Sequence, residues 1–405
     1  MKKYNFIDLF SGCGGLLDGF MQSGVCNHLA SVEWEPAPVQ TLRNRLKNRW
    51  KDEKADESVI RFDIQRTNEL LNGFDDPEYG QSVGLIKLVG NNNVDFIVGG
   101  PPCQAYSVAG RVSVDQKEKP DYRNFLFEYY LKVVEAFQPK LFVFENVPGM
   151  LSAMPDGTPI IDLIKRDISN KGFEIIDNIR EFAVLNAADF NVPQNRKRVI
   201  LVGLNTKYFK KEEAQDILRD FYLNILPKYK GAKHITVEEA IGDLPGCYPL
   251  FSDKRPSHTV PETDITWHYS RFNSPRDVNI FQMLANDIES GENKYTDSEE
   301  LKKIYNKATG ANTNVHKYHV LRRDEPSTTI LAHLYKDGLR FIHYDSQQAR
   351  TITVREAARL QTFDDDFVFI GSQGDAYKMI GNAVPCKFAL AISKAVDELL
   401  TKRSE

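Results

Sequence analysis

Along the first 205 residues, short apolar runs alternate with stretches of helical spacing, and this alternation restricts the fold more than any other property of the chain. Phe6-Ile7-Asp8-Leu9-Phe10 reads as a short buried strand, followed by a Gly-rich turn and a helix over 16–22. Further strands are expected at 28–32, 95–98, 141–144 and 199–202, and helices at 39–46, 126–137 and 160–168. Strands separated by helices of this length imply an α/β fold, a parallel sheet with helices on both faces. Over 206–350 the periodicity breaks up; 21 Lys/Arg balance 21 Asp/Glu there, although 317–323 is locally basic. Helices return at 354–361 and 387–400. The reading is one domain from 1–205 and 351–405, its C-terminal helix packed back on the N-terminal part, and a smaller irregular domain over 206–350. Residues 65–93 read as a surface excursion between strands.

Composition excludes several classes. With 41% hydrophobic and 27% charged residues the chain is not a mostly disordered one. No apolar run approaches bilayer length, and the N-terminal segment contains Asp8, so neither a membrane span nor a signal peptide is expected. The five cysteines stand singly, without metal-ligand spacing or a disulfide framework, so no metal is expected and a reducing cytoplasm is the simpler compartment. A net charge of −4 excludes a strongly basic protein but not a nucleic-acid binder, because cations need only gather on one face.

Four stretches carry candidate chemistry. The first, Phe10-Ser11-Gly12-Cys13-Gly14-Gly15, joins a strand to a helix, where glycines allow a tight turn and close approach of a ligand. Glu33 follows 18 residues after Gly15, at a strand end, where a carboxylate can accept ribose hydroxyls. Trp34 offers an aromatic face for adenine, and Asp63 closes a third apolar stretch beside Ile64. A lone Gly-rich turn is as often a plain turn, but the turn and two strand-end acids together favour a nucleoside site. The glycine spacing differs from GxGxxG, which argues against NAD and an oxidoreductase.

The second stretch is Gly99-Gly100-Pro101-Pro102-Cys103-Gln104, directly after a strand. Two prolines stiffen the loop that carries Cys103. A lone Cys is usually a small buried hydrophobe; in a polar loop at a strand's carboxyl end it is a nucleophile candidate. The third is Glu145-Asn146-Val147-Pro148, again an acid at a strand end, whose plain alternative is a solvated or capping carboxylate. In the fourth, Gln194-Asn195-Arg196-Lys197-Arg198, alternation along an extended segment puts Arg196 and Arg198 on one face, unless the run is simply solvated. Arg355-Glu356-Ala357-Ala358-Arg359-Leu360-Gln361 and Ile380-Gly381-Asn382-Ala383-Val384-Pro385 lie near the C-terminus.

In this order the motifs resemble those of the DNA cytosine-5 methyltransferases, threading through about 1–205 and 350–390. The resemblance implies a Rossmann-like S-adenosylmethionine-dependent sheet and a variable target-recognition part in the middle region. It matches Cys103 to a nucleophile that adds to cytosine C6, and Glu145 to the group acting at N3. Arg196 and Arg198 match cations that stabilise the adduct and lower the thiol pKa. It places Phe10, Ser11, Gly12, Gly14, Gly15, Glu33, Trp34, Asp63, Ile64, Pro102, Leu126, Asn382 and Ala383 around S-adenosylmethionine. It sets Gln104, Ser107, Gln194 and Thr329 against DNA, and implies that the target base is flipped out of the duplex. Double-stranded DNA is the implied partner, with a restriction endonuclease as a functional one. A tRNA methyltransferase of the same family and a catalytically inactive DNA-binding homologue remain as alternatives.

Overall fold

The computed structural model describes residues 3–102, 125–154 and 157–402. The chain divides into two compact units: Met1–Phe190, Lys197–Ala232 and Val384–Glu405 form the first, and Asn191–Arg196 with Lys233–Ala383 form the second. Residues 351–383 thus lie in the second unit, and 206–232 in the first.

The first unit is built on an eight-stranded sheet among the described residues. In chain order it contains β1 (Tyr4–Leu9), α1 (Gly15–Gln22), β2 (Cys26–Glu33), α2 (Pro36–Arg49), β3 (Val59–Arg61), the ribbon strands β4 (Phe74–Asp76) and β5 (Gly80–Ser82), β6 (Phe96–Gly99), α3 (Leu126–Phe137), β7 (Leu141–Asn146), α4 (Ile160–Asn170), β8 (Phe173–Glu174), β9 (Val184–Asn186) and β10 (Lys197–Asn205). The sheet order is β3-β2-β1-β6-β7-β10-β8, with β9 beside β10 and the β4–β5 ribbon separate. From β3 to β7 all pairings are parallel. Strands covered on both faces read as continuous apolar runs, as in Leu141-Phe142-Val143-Phe144, each 2% exposed or less. The chain runs outward from β1 to β3 and then crosses back to β6. The carboxyl ends of β1 and β6 therefore flank a topological switch point, where open α/β sheets bind ligands.

Two sequence expectations need revision. The sheet is not wholly parallel: β10 runs antiparallel to β7, β8 and β9. Only a short connection separates β9 from β10, whereas a parallel pairing requires a crossover of a dozen or more residues. The excursion between β3 and β6 is structured, with buried Leu70, Leu85 and Val89 and the β4–β5 ribbon.

The C-terminal helix (Cys386–Lys402) packs against α1. A Cβ on Gly19 would lie 2.3 Å from the Cys386 carbonyl oxygen and 2.5 Å from the Ala389 Cβ, so glycine is what permits the approach.

In the second unit, α5 (Pro275–Glu289) and α6 (Ser298–Thr309) begin at Ser274 and Asp297, whose side chains accept N–H bonds of the first turn. Their apolar faces, with Val278, Phe281, Leu284 and Leu301, close on Tyr318, Val320, Ile342 and Ala349. α7 (Val354–Leu360) starts with a capping box between Thr353 and Glu356, and α8 (Gln373–Asn382) follows. Glu356 also accepts from both terminal guanidinium nitrogens of Arg350, at 2.6 and 2.7 Å, in a pair about 1% exposed.

Candidate active site

At the switch point of the first unit, β1 is followed by Phe10 with φ 58, a left-handed conformation that costs a bulky residue energy and is often stored at functional sites. Gly12 and Gly14 continue the turn at φ 53 and 94. Ser11 ties it to β2: its N–H donates to the Val32 carbonyl at 3.1 Å, and its hydroxyl reaches the Asp8 and Val32 carbonyls at 2.8 and 3.3 Å. The Gly12 N–H donates to Glu33 Oε2 at 2.8 Å, while Oε1 accepts the Trp34 and Glu35 N–H groups, each at 2.8 Å. A carboxylate oxygen accepts about two hydrogen bonds. Oε1 is therefore filled, and Oε2 has room for one further donor. Burial raises the Glu33 pKa and these N–H bonds oppose it. The fully buried Asp8 carboxyl is held well above its usual range, by burial first and then by the Glu33 charge.

Trp34 is 52% exposed, and its indole N–H donates to the Tyr79 hydroxyl at 3.1 Å. Tyr79 stands between β4 and β5, edge-on to Phe62 at 5.2 Å and beneath the Arg61 guanidinium at 5.2 Å; Phe62 stacks on Phe74 at 3.9 Å. Asp63 accepts the Gln65 N–H at 2.9 Å, and Ile64 and Leu126 are buried. Tyr79 was not singled out by sequence. It lies in the excursion, and no spacing rule links it to Trp34.

The second cluster sits at the ends of β6, β7 and β10. A Cβ on Gly100 would lie 2.7 Å from Glu145 Oε2, so the backbone leading to the Pro-Pro loop runs directly against that carboxylate. The Asn146 side chain donates to the Pro101 carbonyl at 3.3 Å, which holds the loop before half-buried Pro102. β7 and β10 pair with Glu145 opposite Ile200. Arg198 Nε meets Glu145 Oε1 at 2.8 Å, with the two side chains 11% and 13% exposed. Cys103, Gln104 and Ser107 lie outside the described residues.

The structure departs from the expected roles of Arg196 and Gln194. Instead of sharing a task with Arg198, Arg196 donates to the Ile330, Gly381 and Ala383 carbonyls at 2.9, 3.2 and 3.0 Å and is 2% exposed. Gln194 is fully buried, donating to Leu360 O and Gln361 Oε1 and accepting the Ile330 N–H at 2.8 Å. Through these bonds both residues brace the interior of the second unit. Thr329 donates its hydroxyl to the Asn195 carbonyl at 2.6 Å. Asn382 is exposed at the end of α8, and Ala383 takes part through its carbonyl.

Among the described residues no three His, Cys, Asp or Glu side chains converge as a metal site, and no helix is long and apolar enough to cross a membrane.

The family model described as "C-5 cytosine-specific DNA methylase" matches residues 4–398. The type II methyltransferase M.Bpa9945I of Bacillus paralicheniformis is 32% identical, the alignment covering 97% of this chain and 98% of that one. The type II methyltransferase M1.HphI of Haemophilus parahaemolyticus is 30% identical over 98% of this chain and 87% of its own length. Among solved structures, a putative DNA modification methyltransferase of an E. coli prophage superposes with a TM-score of 0.60 at 24% identity, covering 98% of this chain and all of that one. The sheet with its two clusters at the strand ends, and a family match across nearly the whole length, lead to one conclusion: this chain belongs to the C-5 cytosine-specific DNA methylases.

Proposed function

We propose that this DNA cytosine-5 methyltransferase acts on specific sites in duplex DNA through a temporary bond between Cys103 and C6 of a flipped-out cytosine. The observation that carries the reading is the Glu145–Arg198 pair, 2.8 Å apart, with its carboxylate against Gly100, three residues before Cys103. A cytosine ring reached by a thiolate at C6 gains negative charge, which a hydrogen-bonding carboxyl group at N3 relieves. Arg198 supplies a fixed positive charge beside that carboxyl and favours the anionic adduct. The target carbon inside a duplex is out of reach of a protein sulfur, so the base must leave the stack.

The Glu33 cradle suits S-adenosylmethionine: one open acceptor position on Oε2 for a ribose hydroxyl, and the exposed Trp34 ring beside it for adenine. Ser11, Gly12, Gly14, Gly15, Asp63, Ile64, Pro102 and Leu126 would line the same end of the sheet. When bound, that cofactor supplies the electrophilic methyl group taken up at C5, which the sulfur at C6 has made enamine-like. The C5 proton then leaves to a base and the sulfur departs, which restores the aromatic ring.

Pairing with a restriction endonuclease is supported by the names of the relatives, which are type II methyltransferases. Among the described residues, the buried free cysteines Cys13, Cys26, Cys247 and Cys386 fit the reducing bacterial cytoplasm. The intact Glu145–Arg198 pair argues against an inactive homologue.

Duplex DNA carrying 5-fluorocytosine at the methylated site, incubated with S-adenosylmethionine, should become covalently trapped on wild-type protein and not on Cys103→Ala. Trapping that survives this substitution would refute the nucleophile.

A further inference from the structure

The second unit carries a cluster of basic side chains that the methyl-transfer chemistry leaves unused. Residues 319–321 run beside 339–342. The His319 N–H donates to the Leu339 carbonyl, the Ile342 N–H to the His319 carbonyl and the Leu321 N–H to the Ile342 carbonyl, each at 2.9 Å. Tyr318, Val320 and Ile342 belong to the apolar core closed by α5 and α6, which fixes the backbone that carries His319 and Arg340.

Arg340 is exposed. Arg322 is half-buried and donates to a neutral group, the Asn293 side-chain oxygen at 3.2 Å. His316 is half-buried, its Nδ1 3.3 Å from the Tyr318 carbonyl oxygen. Lys317 lies at the margin, 3.9 Å from Asp337. His319 is held below the ordinary histidine range by burial first, and then by the charges of Arg340, His316 and Arg322, all of one sign. Most basic runs are solvated faces with mobile side chains. This one differs in being anchored by backbone pairing to a packed core. The Arg322 and Arg340 guanidinium charges, held at fixed positions, raise the local potential until a polyanion lies against them, and the two imidazoles offer hydrogen-bonding edges beside them.

We propose that His316, His319, Arg322 and Arg340 form a contact surface for the sugar–phosphate backbone of the DNA substrate. The proposal rests on duplex DNA being that substrate. Each phosphate neutralised by a protein cation contributes about 0.9 to the slope of log affinity against log salt. A fourfold rise in salt, from about 50 to about 200 mM, therefore costs about 3.5-fold in affinity per contact, since 4 raised to the power 0.9 is about 3.5.

The test uses the full-length protein and two fluorescein-labelled duplexes of equal length, one containing the methylated site and one lacking it, titrated across that salt range. Arg322→Ala and Arg340→Ala should each weaken binding to both duplexes by the same factor. Each should also shrink the wild-type loss of affinity across the range by about 3.5-fold. Arg340→Lys should match wild type, and S-adenosylmethionine affinity and melting temperature should not change in any variant. Wild-type affinity and salt response in both alanine variants would overturn the proposal. So would a loss confined to the specific duplex with the salt response intact, because that is the behaviour of a base contact. A wild-type protein that methylates tRNA and binds neither duplex would instead overturn the DNA substrate itself.

Discussion

The Trp34 indole and the Tyr79 hydroxyl are joined by a hydrogen bond of 3.1 Å, which ties the end of β2 to the β4–β5 ribbon. Tyr79→Phe keeps the ring on Phe62 and removes the acceptor. We expect it to raise the KM for S-adenosylmethionine by about five-fold, the worth of one ordinary hydrogen bond of about 1 kcal/mol, with kcat and the KM for DNA unchanged. Trp34→Ala serves as the reference. If Trp34→Ala weakens cofactor binding and Tyr79→Phe does not, the ribbon plays no part in holding the indole.

Arg198→Ala leaves Glu145 without its cation. The expected loss is about 10²–10³ in kcat, the usual cost of removing one preorganised group from a developing anion. Cofactor binding, measured calorimetrically, should be intact. A kcat within three-fold of wild type would remove Arg198 from the catalytic group.

Glu356→Ala strands the Arg350 charge in the interior of the second unit, a fault that typically costs about 3–5 kcal/mol. The melting temperature should fall by many degrees or the protein should fail to accumulate. The double variant Glu356→Leu/Arg350→Met should recover much of the loss, because it removes both charges. An unchanged melting curve for Glu356→Ala would contradict the burial of the pair.

The second unit also holds His258 and His343, each 2% exposed or less. Burial first, and then the Arg350 charge, pulls their pKa values down to about 4 and about 3. Both fold as neutral rings and are protonated more readily when unfolded. Their contribution is therefore complete above the unfolded value of about 6.5 and is lost as pH falls towards the folded values. At about pH 5 each should cost roughly 2 kcal/mol relative to pH 7, from about 1.5 pH units at 1.36 kcal/mol each. Denaturant unfolding at the two pH values reads this directly, and equal stability at both would show that these histidines do not titrate differently on folding.

The strand-end chemistry was legible because it depends on local order. A glycine turn after an apolar run, or an acid closing one, points to a site without knowledge of any distant contact, and Glu33 with Glu145 sits where that logic puts it. Arg196 was not legible. Alternation along an extended segment gives direction but not surroundings, and its carbonyl partners come from positions 330, 381 and 383, far along the chain. Tyr79 escaped for the same reason, since it meets Trp34 across 45 residues of sequence. The reversed direction of β10 against β7 is a matter of tertiary pairing, which apolar patterning does not encode.

The helix that seats on Gly19 is made of residues 386–402, the last described part of the chain. During synthesis α1 must wait for that partner until residues 386–402 have emerged, because a growing polypeptide folds with what is already outside the ribosome. Messages truncated ahead of position 386 should thus yield a sheet with one flank bare, prey for proteases.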